Sequence, residues 1–204
     1  MINREGLIKL ANEKAKSFSQ NEPQEFAEAR LELLAKLSKL TYGEKKDKFW
    51  KYSDIFKLEE TIQDTAFEKH ISSVPEGVLY GKALSLLEKH KEFFEKQLVR
   101  NEHLTGSFFA TLTAAAAQSY ALVITKEYKG KSLELFFSNS LDRLFIIIEG
   151  GVEIELIEKH THTNPSVNLL EYKIGKNVNI KHSTEEEGGI SIISRFFTLE
   201  EDSI

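Results

Sequence analysis

The chain of 204 residues has no cysteine, three prolines, one methionine and one tryptophan. The missing cysteine excludes disulfides, thiolate metal sites, cysteine nucleophiles and persulfide carriers from this chain. Its longest apolar run, "LFIIIEGGVEIELI", is interrupted by Glu and Gly and is too short to span a bilayer. The opening stretch "MINREGLIKLANEKAK" has no apolar signal region and no small-residue cleavage site. These absences set the expectation of a cytoplasmic protein with no membrane association. Excess positive charge is also missing. The net charge is −5, from 27 basic and 32 acidic residues, which argues against a broad nucleic-acid footprint. Hydrophobic residues make up 41% of the chain, enough for a folded core.

Two periodicities divide the sequence. Up to about residue 100 it reads as helical. "NREGLIKLANEKAKSF" places Leu7, Leu10, Ala11, Ala15 and Phe18 near one face, and Phe26, Ala29, Leu33, Leu37 and Leu40 follow at spacings of three and four. Pro23 stands at a helix start, with acids just after it. A third helix is expected over "EGVLYGKALSLLEKHKEFFEKQL", and "SFFATLTAAAAQ" reads as a short alanine-rich one. From Tyr120 the period is two. "YALVITK", "KSLELFFSN", "RLFIIIEG", "VEIELIEK", "VNLLEYKIG", "VNIKH" and "ISIISRFFTL" are seven β-rich runs with no helix between them. Such a series suits a sandwich, a barrel or a solenoid, and periodicity alone does not choose. In "VEIELIEK", Val152, Ile154 and Leu156 should face the core while Glu153, Glu155 and Lys159 face water. "LFIIIEG" is apolar on both faces and should be covered on both. The two "EGG" stretches, at 149–151 and 187–189, read as turns.

Residues with chemical potential are few. No phosphate-binding glycine loop, nucleophile elbow or zinc-protease helix occurs. The carboxylates are scattered, and no acid pair is evident. Trp50 and Tyr52 are large aromatics that either pack inside or anchor a partner. In "EKHTHTNPSVN", His160 and His162 fall on the same side of a strand, and His182 follows about two strands later, so a three-histidine metal site is conceivable. The turn residues Asn164, Pro165 and Ser166 favour solvent-exposed loop histidines instead.

Four stretches, in order, resemble the SufB/SufD family of iron–sulfur cluster assembly scaffolds, its SufD branch most closely. "KDKFWKYSDIFKL" resembles the family's E-x-W-[KR]-Y-[ST]-[DN]-[LI] segment, with Phe49 before Trp50. "VPEGVLYGKALSLLEKHKEFFEKQL" is similar to its P-x-G-V stretch, and "GSFFATLTAAAAQSYALVITKEYKG" to its helix-then-strand passage. "RLFIIIEGGVEIELIEKHTHTNPSVNLLEYKIGKNVNIKH" resembles the start of its β-solenoid.

The resemblance implies a helical N-terminal domain over 1–105, followed over 106–204 by the first rungs of a right-handed parallel β-helix. It implies a non-enzymatic scaffold acting through protein–protein interaction with SufB- and SufC-like proteins. The chain itself would bind no cofactor, and an iron–sulfur cluster or iron would be handled by the complex. Where SufB resembles L-E-G-C, this chain has His160, and imidazole cannot carry a persulfide. The sulfur-relay role therefore does not transfer. Family members extend well beyond this length, so the chain reads as a piece of a longer SufD-like protein or as a short paralogue. An open β-helix end would then expose unpaired strands, to be covered by a second copy in a homodimer, by the helices or by swapping. The alternative function is a small metal- or ligand-binding β protein using His160, His162 and His182.

Overall fold

The computed structural model describes residues 4–40, 69–101, 104, 107–138, 141–162, 166–189 and 191–200. Trp50, Tyr52, Asn164, Pro165 and the stretch resembling the family's tryptophan segment lie outside the described residues. Two helices open the fold, α1 (Arg4–Ser19) and α2 (Gln24–Leu37). Leu7, Ala11 and Ala15 form the buried stripe of α1, and Phe26, Ala29, Leu33 and Leu37 that of α2, as the spacing predicts. Further on, α4 (Phe108–Ala116) is capped by Ser107, whose hydroxyl accepts from the Ala110 backbone N–H at 3.3 Å.

The expected third helix is only half a helix. Its first part is a strand, β1 (Val78–Lys82), laid antiparallel on β2 (Ser119–Ile124) with Val78 beside Ile124 and Lys82 beside Tyr120. The β-favouring Val-Leu-Tyr run and Gly81 suit an edge strand, and pairing with β2 satisfies backbone groups that a helix would have bonded internally. The rest is a broken helix: a 3₁₀ stretch (Ala83–Lys89), α3 (Lys91–Phe94) and a π turn (Glu95–Arg100) ending on left-handed Asn101.

All seven β-rich runs are strands: β2, β3 (Ser132–Phe137), β4 (Leu141–Ile148), β5 (Glu153–His162), β6 (Ser166–Ile174), β7 (Asn179–Gly188) and β8 (Ser191–Leu199). They form two sheets, ordered β1-β2-β4-β6-β8 and β3-β5-β7. Every pairing except β1–β2 is parallel. The chain alternates between the sheets, so successive strands coil into a parallel β-solenoid of about three turns. Parallel pairing needs a crossover, and each crossover here is a strand of the opposite sheet, which excludes both the sandwich and the barrel.

Three cores result. Leu122, Ile124, Leu135, Leu144, Ile146, Leu156 and Leu170 fill the lumen between the sheets. On the outer face of the larger sheet, α1, α2 and α4 cover Val167 and Leu169, while Phe93 and Phe94 cover Phe145 and Ile147. Strand β4 is therefore buried on both faces from Asp142 to Ile148, as its composition predicts. The outer face of β5 carries Glu153, Glu155 and Lys159 toward water, while Ile154 and Leu156 are buried. There Lys159 pairs with Glu134 at 2.7 Å.

Arginines join the layers. Arg30 of α2 donates to the carbonyls of Ala114, Ala115 and Ala117, closing the C-terminal end of α4, and pairs with Glu22 at 2.7 Å. From β4, Arg143 reaches the same helix end through the Ala114 carbonyl at 3.4 Å.

Stacked turns place Gly175 against the turn of the rung before it. A Cβ at Gly175 would lie 2.6 Å from the Gly150 nitrogen and 2.9 Å from the Ile148 carbonyl oxygen. Both are backbone atoms, so the rungs must separate. Gly175→Ala is expected to lower stability by about 1–3 kcal/mol, read from urea unfolding; an unchanged midpoint would show that the turns do not pack this closely.

The last rung is less covered. Among the described residues β7 and β8 pair on one side only, and the inward-facing Phe197 and Leu199 are 54% and 55% exposed. Among the described residues, the helices leave these two side chains uncovered.

Candidate functional site

Alternation along β5 sends Ile154, Leu156, Glu158, His160 and His162 into the lumen. The apolar pair lies near the turn that opens the strand. The three polar residues lie toward its far end, where β6 begins with Ser166 and Asn168. The lumen is therefore apolar along one corner and polar along the other.

At the centre of the polar part is Glu158, with 0% exposure. One carboxylate oxygen accepts from His182 Nε2 at 2.9 Å and from the Tyr172 hydroxyl. The other accepts from His160 Nε2 at 3.1 Å and from the Arg195 guanidinium, whose Nε lies at 3.1 Å. Four strands thus converge on one side chain: β5 itself, β6 through Tyr172, β7 through His182 and β8 through Arg195. Burial alone would push this carboxyl up, but the hydrogen bonds from His160, His182, Arg195 and Tyr172 outweigh it and hold the group well below the usual carboxylate range. Burial and the facing carboxylate raise the Tyr172 hydroxyl well above its ordinary value.

The surrounding side chains are themselves fixed. His160 accepts at Nδ1 from the Asn168 amide at 3.3 Å, so its hydrogen is on Nε2, where Glu158 accepts it. Its ring stacks on Phe137 at 4.6 Å. Arg195 also donates to the Thr184 hydroxyl at 3.1 Å, and Phe197 stacks on Tyr172 at 4.6 Å. A second histidine–carboxylate pair lies across Phe137. His70 meets Asp142 at 3.1 Å and the Tyr80 hydroxyl at 2.9 Å, and burial pushes the Tyr80 hydroxyl up to about 12.

The three histidines singled out in the sequence all face the same lumen, but in different states. His160 and His182 both direct Nε2 at Glu158. Stacking of β7 on β5 brings them together, as their separation in sequence suggested. His162 does not belong to a loop: it is the last residue of β5 and is 3% exposed. The strand runs two residues further than the turn chemistry implied because its backbone pairs with β7 as far as Gly188. Among the described residues, no three histidine, aspartate or glutamate side chains are arranged to hold a metal ion.

Sequence reasoning missed Glu158, Asn168, Tyr172 and Arg195. A signal for the first was present, since the alternation that puts Ile154 and Leu156 inward puts Glu158 inward too. For the others the inter-strand register was needed.

Chemically, the cluster is an anchored charge rather than a reacting pair. Glu158 is held ionised with its oxygens occupied, and Tyr172 is held protonated. Neither is poised to exchange a proton near neutral pH. A surface cleft of about 730 Å³, lined by Tyr128, Lys129, Lys131, Glu153, Glu155 and Lys181, opens elsewhere. Its lysines and glutamates face water, and Lys181 is already paired with Glu155. No family model matches the chain, and no curated protein matches it.

Proposed function

We propose that this chain is a SufD-like, non-enzymatic scaffold component of SUF-type iron–sulfur cluster assembly, acting in the cytoplasm through contacts with SufB- and SufC-like proteins. The observation that carries the reading is the place of "IELIEKH". This stretch resembles the strand that holds a relay cysteine in SufB, and it is an inner strand of a β-solenoid that follows a helical segment. At the matching position His160 faces the lumen and is fixed between Glu158 and Asn168. An imidazole so held takes no persulfide, which suits a supporting partner rather than a sulfur carrier. Iron or a cluster would belong to the complex.

The one-sided strands β7 and β8, with Phe197 and Leu199 beside them, are where a SufB-like solenoid or a second copy of this chain would pair. Co-expression with SufB- and SufC-like proteins from the same genome tests the proposal. The expected result is co-purification at a fixed ratio. Elution of the folded chain alone, with both partners present and folded, would refute it.

A second reading, a histidine-based metal- or ligand-binding β protein, is favoured by one observation: His162 is buried, and among the described residues neither ring nitrogen has a hydrogen-bond partner. Metal retained after chelator-free purification and lost in His162→Ala would support it. A metal-free preparation that does not take up added zinc would dismiss the metal form.

A further inference from the structure

Two inward side chains at the polar corner of the lumen are not satisfied by the described residues. His162 is 3% exposed, and among the described residues neither Nδ1 nor Nε2 has a hydrogen-bond partner. Asn168 is 0% exposed, and its Oδ1 is likewise free. Rotating the Asn168 amide does not help, because whichever atom turns toward His160, the other is left over. The Ser138 backbone lies close enough to His162 to favour its charged form, but no bond of normal geometry results. Burial, the larger influence, lowers the affinity of the ring for a second proton. A neutral imidazole has one N–H to give and one nitrogen to receive.

Leaving such groups dry is costly, and interiors commonly meet this with buried water. The corner has the polarity that water needs. Ser166 and Ser191 share a hydrogen bond at 3.2 Å beside it. The Asp142 and Glu186 carboxylates act on the His162 ring from β4 and β7. His160 stands between the two free groups, bonded to Asn168 and with its ring centre 6.0 Å from that of His162. An apolar guest would leave every one of these atoms unmet, and an anion would face two carboxylates. A neutral molecule that both donates and accepts fits.

We infer that the polar corner of the solenoid lumen is an internal hydration site, in which bound water meets the ring nitrogens of His162 and the free amide oxygen of Asn168. This water extends the row Asn168–His160–Glu158–His182 inward, so the lumen holds a polar, solvated file beside its dry apolar half.

Solution NMR on the full chain, labelled with ¹⁵N, tests the site. Long-range correlation of the imidazole nitrogens should find His162 with one protonated and one bare nitrogen at neutral pH. A rotating-frame cross-peak should link its ring to long-lived water and vanish in His162→Phe. A ring with no water cross-peak would overturn the inference, as would His162→Leu raising the unfolding midpoint, since that gain is expected only of a dry site. Stoichiometric zinc retained on the purified protein, with both ring nitrogens shifted by coordination, would replace water with an ion and overturn it too. The wild-type spectra decide the matter even where a variant fails to fold.

Discussion

Arg143→Ala is expected to lower stability by about 3–5 kcal/mol, with the melting temperature falling by roughly 10 °C. Arg143 is 2% exposed and Glu171 is 1% exposed, and they meet at 2.8 Å on the helix-facing side of β4 and β6. The same guanidinium donates to the Gln97 carbonyl at 2.8 Å and to the Asn101 side-chain oxygen at 3.1 Å. It also lies 5.0 Å over the Phe145 ring. Its removal takes the guanidinium away from a buried carboxylate and from acceptors in two helical segments at once. Replacing both ionic partners, as Arg143→Met with Glu171→Met, removes the buried charge as well and should recover part of the loss. Recovery should stop short by about 1–3 kcal/mol, because the Gln97 and Asn101 oxygens still lack a donor. Chemical denaturation of the three variants checks both statements. A loss under about 1 kcal/mol for the single alanine variant would mean that water replaces the guanidinium there.

Glu158→Gln should cost on the order of 3 kcal/mol at neutral pH, at the low end for a buried pair because Arg195 retains some access to solvent. The amide keeps the shape but loses the charge that holds Arg195, His160 and His182. Its effect has a pH signature. Glu158 is held below its ordinary value of 4.5, so the folded state resists protonation of this group while the unfolded state does not. The stabilisation is fully present above the unfolded value. It is lost as pH falls below it, toward the lower folded value. Wild type should therefore lose stability between neutral pH and pH about 3 more steeply than the glutamine variant, and the gap between them should narrow. Denaturant midpoints across that range provide the measurement. A gap that stays constant with pH would show that the carboxylate charge is not what binds the last rung.

Both predictions concern residues that the sequence presents as ordinary. Arg143 sits in "LDRLFIII", where a charge beside an apolar run suggests a strand edge in water. The structure buries it because α3, its π turn and α4 cover that face of the sheet. Glu158 follows two glutamates at the same two-residue spacing as solvent positions, yet it is offset from them by one residue and so faces inward. His162 was expected in a loop because its neighbours are turn formers. Pairing with β7 overrides that local preference and draws it into the lumen.

The reading of "EGVLYGKALSLLEKHKEFFEKQL" as one helix fails for a similar reason. Its first residues are apolar at a spacing that suits either state, and only the free edge of β2 decides for a strand. The later residues keep the helical burial of Phe93, Phe94 and Leu98, so the period survives where no strand competes.

Local pattern alone determined the helical start, the seven strands and the two-sided burial of β4. These follow from side-chain periodicity, which depends only on near neighbours in the chain. It did not determine that the strands coil as a solenoid, that β1 joins the sheet, or that His160, His182, Tyr172 and Arg195 meet at Glu158. Those depend on register between strands far apart in sequence. Tertiary packing selected the one register that gives a buried carboxylate four hydrogen-bond partners, while local residue order is silent about which strand lies beside which.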